Sequence, residues 1–248
     1  MGEEWVEVGV PGFDELFDKG VPRGISALVG GGPGSGKTIF CLQSLVYGAS
    51  NGEKGLFMSF EESPNRLKDH MHDFGWDPDK LIDEGQLMIE RYSPFDVSRS
   101  IEALLEKEER ELLIDAPPVF IPEGFEPDRV AVDSLSAIAA PYVGVEERYR
   151  VYVEQLFRYF EGLDVTSFFI TETEQDPEHP GRLTRTGVEE FLADGVILLY
   201  NIRKGDLRES AIEVLKMRGA KFQKKIVPME ILSGSGIVVY PKQKVFGV

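Results

Sequence analysis

Gly31-Gly32-Pro33-Gly34-Ser35-Gly36-Lys37-Thr38 is the stretch on which the fold turns. It satisfies the phosphate-loop pattern of a glycine, four residues, then Gly-Lys-Ser/Thr. Its glycines let backbone N–H groups converge on a phosphate where a Cβ would not fit. The helix that follows presents its positive end to the same oxygens. In such a loop the Lys37 ammonium reaches the β- and γ-phosphates and the Thr38 hydroxyl ligates Mg2+. Gly32, Pro33, Gly34, Ser35, Gly36, Lys37, Thr38 and Ile39 are therefore the candidate nucleotide-binding residues.

Outward from the loop, short β-branched runs alternate with helical stretches. Ile25–Val29 reads as the strand entering the loop and Lys37–Tyr47 as the helix leaving it. Gly55–Phe60, Gln86–Arg91, Arg129–Asp133 and Val165–Thr171 read as further strands. Helices are expected at Pro64–Phe74, with Ser63 as N-cap and proline in the first position, at Val97–Leu112 and at Val145–Phe160. After Gly195 the texture becomes two strands joined by a turn at Lys204–Gly205–Asp206, then short strands near Ile226–Leu232 and Ile237–Tyr240. The pattern predicts an α/β fold: a mostly parallel sheet covered by helices, with a C-terminal antiparallel extension. One domain over residues 1–248 is expected. The four prolines of Asp115–Asp128 mark a surface insertion or a binding loop.

Composition narrows the function classes. The chain has 248 residues, 43 acidic against 27 basic, and a net charge of −16, which disfavours non-specific contact with phosphate backbones. No apolar run approaches the roughly 20 residues of a membrane helix, and the acidic start MGEEWVEVGV is unlike a signal peptide, so a cytoplasmic location is expected. Cys41, the single cysteine, reads as a small core residue. His70 and His72 point to different faces of a helix and His179 falls in a loop, which offers no metal site.

Binding alone hydrolyses nothing. A metal-orienting carboxylate is needed at the end of an apolar strand, and Arg129-Val130-Ala131-Val132-Asp133 supplies Asp133. Hydrolysis also needs a base to orient the attacking water. Glu61 and Glu62 follow the Gly55–Phe60 strand, at the end of a parallel strand where such sheets bind ligands. An acidic pair is equally favourable at the start of the next helix, so the residues alone leave both readings open.

The segments GVPGFDELFDKGVPRGISALVGGGPGSGKT, FEESPNRLKDHMHDFGWD, TGVEEFLADGVILL and EVLKMRGAKF together resemble the KaiC family, and the first also resembles the recombinase RadA. The matches run from about residue 8 to 240, which identifies the chain as similar to single-domain archaeal KaiC-like ATPases of the RecA superfamily. The resemblance implies a RecA-type core with strand order 5-1-4-3-2. It implies a homo-oligomeric ring, usually hexameric, with ATP and Mg2+ between subunits. It makes Glu61 the catalytic base with Glu62 beside it, in the same role or in support, and Lys216 and Arg218 the pair that reaches a neighbour's site, with Lys224 adding a contact near the γ-phosphate or ribose. Glu190-Phe191 stand where KaiC's second domain carries its phosphorylated Ser-Thr pair, which implies no autokinase activity. The family's Thr-Asp-x-Gly becomes Ser-Gly-Ser-Gly before Ile237, so the base-contacting residues stay unassigned.

Two other readings stand beside the ATPase. One is an ATP-held switch or scaffold without turnover, read by a protein partner. The other is a recombination accessory gripping DNA through the loops Ser136–Glu147 and Thr173–Gly187. The second loop carries Glu174, Asp176 and Glu178 against Arg182 and Arg185, so DNA contact is expected to be weak or absent.

Overall fold

The computed structural model describes residues 4–97, 99–100, 120–139, 146–173 and 187–247. A two-stranded ribbon, β1 (Trp5–Val6) on β2 (Val21–Pro22), precedes a nine-stranded sheet. The strands of that sheet are β3 (Ser26–Gly31), β4 (Gly55–Ser59), β5 (Leu87–Arg91), β6 (Arg129–Asp133), β7 (Thr166–Glu172), β8 (Gly195–Lys204), β9 (Leu207–Met217), β10 (Val227–Leu232) and β11 (Gly236–Val239). Their spatial order is β11-β10-β9-β8-β3-β7-β6-β4-β5. Pairing is parallel from β8 through β5 and antiparallel from β8 to β11.

The implied core order 5-1-4-3-2 is found as β8-β3-β7-β6-β4. The expected strand Gln86–Arg91, third along the chain, is found as β5 and lies outside that core as an added edge strand beside β4. The antiparallel extension is also as expected, with Gly205 at φ +60° in the two-residue turn between β8 and β9.

Strand residues alternate between two packed layers, as the two-residue period of a strand demands. Phe57, Ala131, Phe168 and Ile170 face a layer containing α1 (Lys37–Ser50) and α2 (Pro64–Asp73), with Phe40, Leu42, Leu45, Leu67 and Met71. Leu56, Met58, Val130, Val132 and Phe169 face the helix Glu146–Gly162, with Tyr149, Tyr152, Val153, Leu156 and Phe160. Cys41 is fully buried in the first layer, where burial pushes its thiol well above the usual range. Both faces of the parallel strands are covered, which is why those strands read as continuous apolar runs.

Two polar ties hold this frame. Arg129, only 3% exposed, donates from Nη1 to Val8 O, Ser44 O and Ser44 Oγ, and from Nε to Glu53. Gln43 on α1 donates from Nε2 to Ile237 O at 3.1 Å and accepts from Ile237 N at 2.7 Å, so one buried amide satisfies both backbone groups of an edge residue.

Sequence reading missed three short helices: α3 (Pro78–Asp83), capped by Asp77, and the turns Leu135–Ala139 and Glu189–Leu192. They are too short for a helical period to show. Most of the expected helix Val97–Leu112 and residues 115–119 of the proline-rich segment lie outside the described residues. The rest of that segment is anchored rather than loose. Phe120 is buried against Tyr159 at 5.0 Å between ring centroids, and Tyr92 donates to its carbonyl. Among the described residues no helix is long and apolar enough to cross a membrane.

Candidate functional site

The glycine loop joins β3 to α1, and two of its glycines are obligatory. Gly34 has φ +70° and Gly36 φ +100°, a region that side chains disfavour. A Cβ on Gly31 would lie 2.5 Å from both Leu199 O and Ser35 Oγ. Gly36 occupies the N-cap of α1 with no side-chain cap, so the first-turn N–H groups of the 14-residue helix face the loop. Ile39 is half-buried beside the core. Lys37 Nζ donates to Gly31 O at 2.9 Å and Gly32 O at 3.0 Å. Burial lowers its pKa, and the carboxylates of Glu172, Asp133 and Glu61 oppose that shift.

Asp133, at the end of β6, meets the loop directly: Thr38 Oγ1 donates to Asp133 Oδ2 at 2.8 Å. Burial pushes its pKa up from 3.8 to about 6, and the negative Glu61 and Glu62 push the same way. The Thr38 hydrogen bond and the Lys37 charge pull it down without cancelling the rise. A carboxylate held this far up by burial and like charge suits a site that takes a cation.

The two adjacent glutamates part company. Ser134 Oγ donates to Glu61 Oε1 at 3.0 Å while accepting from Ala137 N at 3.2 Å, so the residue after Asp133 aims Glu61 at the same crevice. Glu62 turns along α2 instead. Its Oε2 lies 3.3 Å from Arg66 Nε and 3.8 Å from His70 Nδ1, and Ser59 Oγ pins its backbone at both N and O. Glu62 therefore has the helix-start position that the residues left open, whereas Glu61 faces the phosphate loop.

Lys37, Thr38, Asp133 and Glu61 meet at the C-terminal edge of the parallel strands. Lys216 and Arg218 lie at the opposite edge. Arg218 N donates to Asp194 O and Asp194 N to Ser26 O, which sets Arg218 level with the start of β3. Gly31 is five residues further along and β9 is two strands away. At about 3.3 Å per residue and 4.8 Å per strand, roughly 20 Å separates them, more than one side chain spans. Lys224 is exposed between β9 and β10. Sequence reading missed Ser134 and Glu172. Glu172 ends β7 in register with Gly31, and its charge acts on Lys37. The rule that strand C-termini line the crevice points to both.

A phosphate loop between the first parallel strand and its helix, with an acid-ended strand two places along the sheet, defines a P-loop nucleotide-binding protein of RecA type. Comparison with known proteins makes this specific. The family described as "ATPase: KaiC" matches residues 6–244. The chain is 35% identical over 247 residues to circadian clock protein KaiC3 of Synechocystis, and 34% identical over 244 residues to the clock oscillator protein KaiC of Parathermosynechococcus lividus. These matches cover 97% and 95% of the chain but 46% and 42% of the relatives, so the chain spans less than half of their length. A KaiC-like protein from the archaeon Pyrococcus horikoshii superposes with a TM-score of 0.78 at 33% identity, over 97% of this chain and all of that one. The chain belongs to the KaiC ATPase family of the RecA superfamily.

Proposed function

We propose that the protein binds MgATP at the glycine loop and hydrolyses it in a homo-oligomeric ring, hexameric in the pattern of its resemblance, with each site completed by a neighbour. The left-handed glycines, the uncapped start of α1 and the inward-turned Lys37 fit a chain of phosphates. The paired oxygens of Thr38 and Asp133 fit a hard divalent cation, Mg2+ in the first instance. When bound, that ion neutralises charge on the phosphates. Lys37 adds a positive charge there, Asp133 anchors the metal side of the site, and Glu61 accepts a proton from the attacking water. Glu62 supports Glu61 by fixing the start of α2 rather than by taking the proton.

The observation that carries the shared site is the placement of Arg218 and Lys216 on the sheet edge opposite the phosphate loop. A cation that cannot reach its own loop can serve a neighbour packed head-to-tail, and such heterologous contacts close into rings. Lys224 is assigned to the same trans-acting face. The net charge of −16 argues against nucleic acid as substrate. The test mixes Glu61→Gln with Arg218→Ala, each inactive alone in phosphate release, and follows mass by light scattering. Partial return of activity supports the shared site. No return despite proven subunit exchange overturns it, and turnover undiminished in both single variants overturns hydrolysis through these residues.

A further inference from the structure

The opposite edge of the sheet carries an arrangement that the catalytic reading alone does not require. Lys216 Nζ donates to Glu190 O at 3.0 Å and Phe191 O at 3.4 Å, and also to Ala193 O. Arg218 donates to Phe191 O at 3.2 Å from Nη2, and from Nη1 to Leu192 O at 3.4 Å and Asp194 Oδ1 at 3.1 Å. Two cations thus converge on four consecutive carbonyls at the end of the turn Glu189–Leu192, the negative end of a helical segment.

Asp194 is the junction of this cluster. One carboxylate oxygen, Oδ1, takes the Arg218 guanidinium, and the other, Oδ2, accepts from Ser26 N at 3.2 Å. Its backbone N donates to Ser26 O and its backbone O accepts from Arg218 N. The residue is therefore clamped to the first residue of β3, the strand that ends in the phosphate loop, while its other carboxylate oxygen sets the direction of Arg218. Arg218 is 56% exposed, and apart from Asp194 only the carbonyls of Phe191 and Leu192 restrain its guanidinium, so the carboxylate is its one charged partner among the described residues.

We infer that Asp194 is a positioning residue for Arg218, holding the guanidinium in the pose from which it enters the neighbour's site. This rests on the shared-site reading. Asp194 touches no nucleotide of its own subunit, since it stands at the start of β8, away from the loop. It acts by pre-organising a side chain that works in trans, where a small misplacement is costly. Phe191, 73% exposed beside the cluster, is carried on the same turn.

The test is Asp194→Asn, which keeps an acceptor for Ser26 N and removes the charge facing Arg218. Turnover in the assembled protein should fall about 10-fold, the low end of what loss of an orienting partner costs. Nucleotide affinity, the thermal midpoint and the assembled mass should stay near wild type. The decisive readout is complementation. Asp194→Asn mixed with Glu61→Gln should regain activity, because the two defects lie on opposite sides of an interface. Mixed with Arg218→Ala it should regain none, because both damage the same side. Undiminished turnover of Asp194→Asn overturns the assignment. So does failure to complement Glu61→Gln under conditions where Arg218→Ala succeeds. If Arg218→Ala also fails with Glu61→Gln after proven exchange, the shared site itself is wrong and this role falls with it. Should the asparagine variant not fold, Asp194→Ser is subject to the same expectations.

Discussion

Replacing Asp133 with asparagine should make the protein more stable while disabling its site. Asp133 is 9% exposed, and its folded pKa of about 6 stands above the usual 3.8. The folded state then binds a proton more tightly than the unfolded chain does. Stability from this group is complete below about pH 4 and is lost as pH rises through about 6. A difference of about 2 pH units, at about 1.4 kcal/mol each, gives at most about 3 kcal/mol of destabilisation at neutral pH. Asparagine is never charged and can still accept from Thr38 Oγ1, so it escapes this cost. The assay is denaturant unfolding of both proteins, free of nucleotide and divalent metal, from pH 4 to pH 8. The groups that Asp133 perturbs, Lys37 and Cys41, are a lysine and a buried thiol that do not titrate in this range, so the difference between the two reports on this carboxylate. The variant's advantage should be small at pH 4 and grow to at most about 3 kcal/mol by pH 7, a rise of about 6–12 °C in midpoint for a chain of this size. MgATP should then stabilise the wild type far more than the variant. A stability difference that does not change with pH would refute the reasoning.

Lys37→Ala should abolish nucleotide binding in calorimetry, because it removes the charge placed against the phosphates. Glu61→Gln should keep binding and lose on the order of 100-fold or more in turnover, while Glu62→Gln keeps most of its activity, since Glu62 is directed to Arg66 and His70. If phosphate release fails in the Glu62 variant and survives in the Glu61 variant, the assignment is reversed. Gly48→Ala, remote from the site, should cost about 1–3 kcal/mol in unfolding experiments, because its Cβ would sit 2.7 Å from the buried Arg129 Nε and from Glu53 Oε2. A stability equal to wild type would mean that the Arg129 network yields easily.

The parts of the site that sequence disclosed are those fixed by backbone geometry. The glycine loop needs left-handed positions at Gly34 and Gly36, so the requirement is written as residue types. Asp133 was visible because a covered parallel strand must be apolar until it reaches the crevice. Glu61 and Glu62 could not be told apart as neighbours, although Arg66, four residues after Glu62 on the coming helix, was a readable sign of its partner. Ser134 is signalled only by its place at a strand end, since its residue type marks nothing: one serine after a strand serves as a cap in countless proteins. Arg129 carries no sign of burial as the first residue of a strand, and only the packed structure shows it buried among Val8, Ser44 and Glu53. The cluster of Lys216, Arg218 and Asp194 joins segments distant along the chain through backbone carbonyls, which leave no mark in a sequence.

The amide of Gln43 has a consequence for life in a crowded solution. β11 is the outer strand of the sheet, and an outer strand exposes unpaired N–H and C=O groups on which a foreign strand can build. At Ile237 both of those groups are already engaged by Gln43. The side chain acts as a one-residue dummy strand, ending the ladder from within and denying a template for aggregation. Because Gln43 stands on the helix that begins at the phosphate loop, the same contact ties the protection of that edge to the integrity of the site.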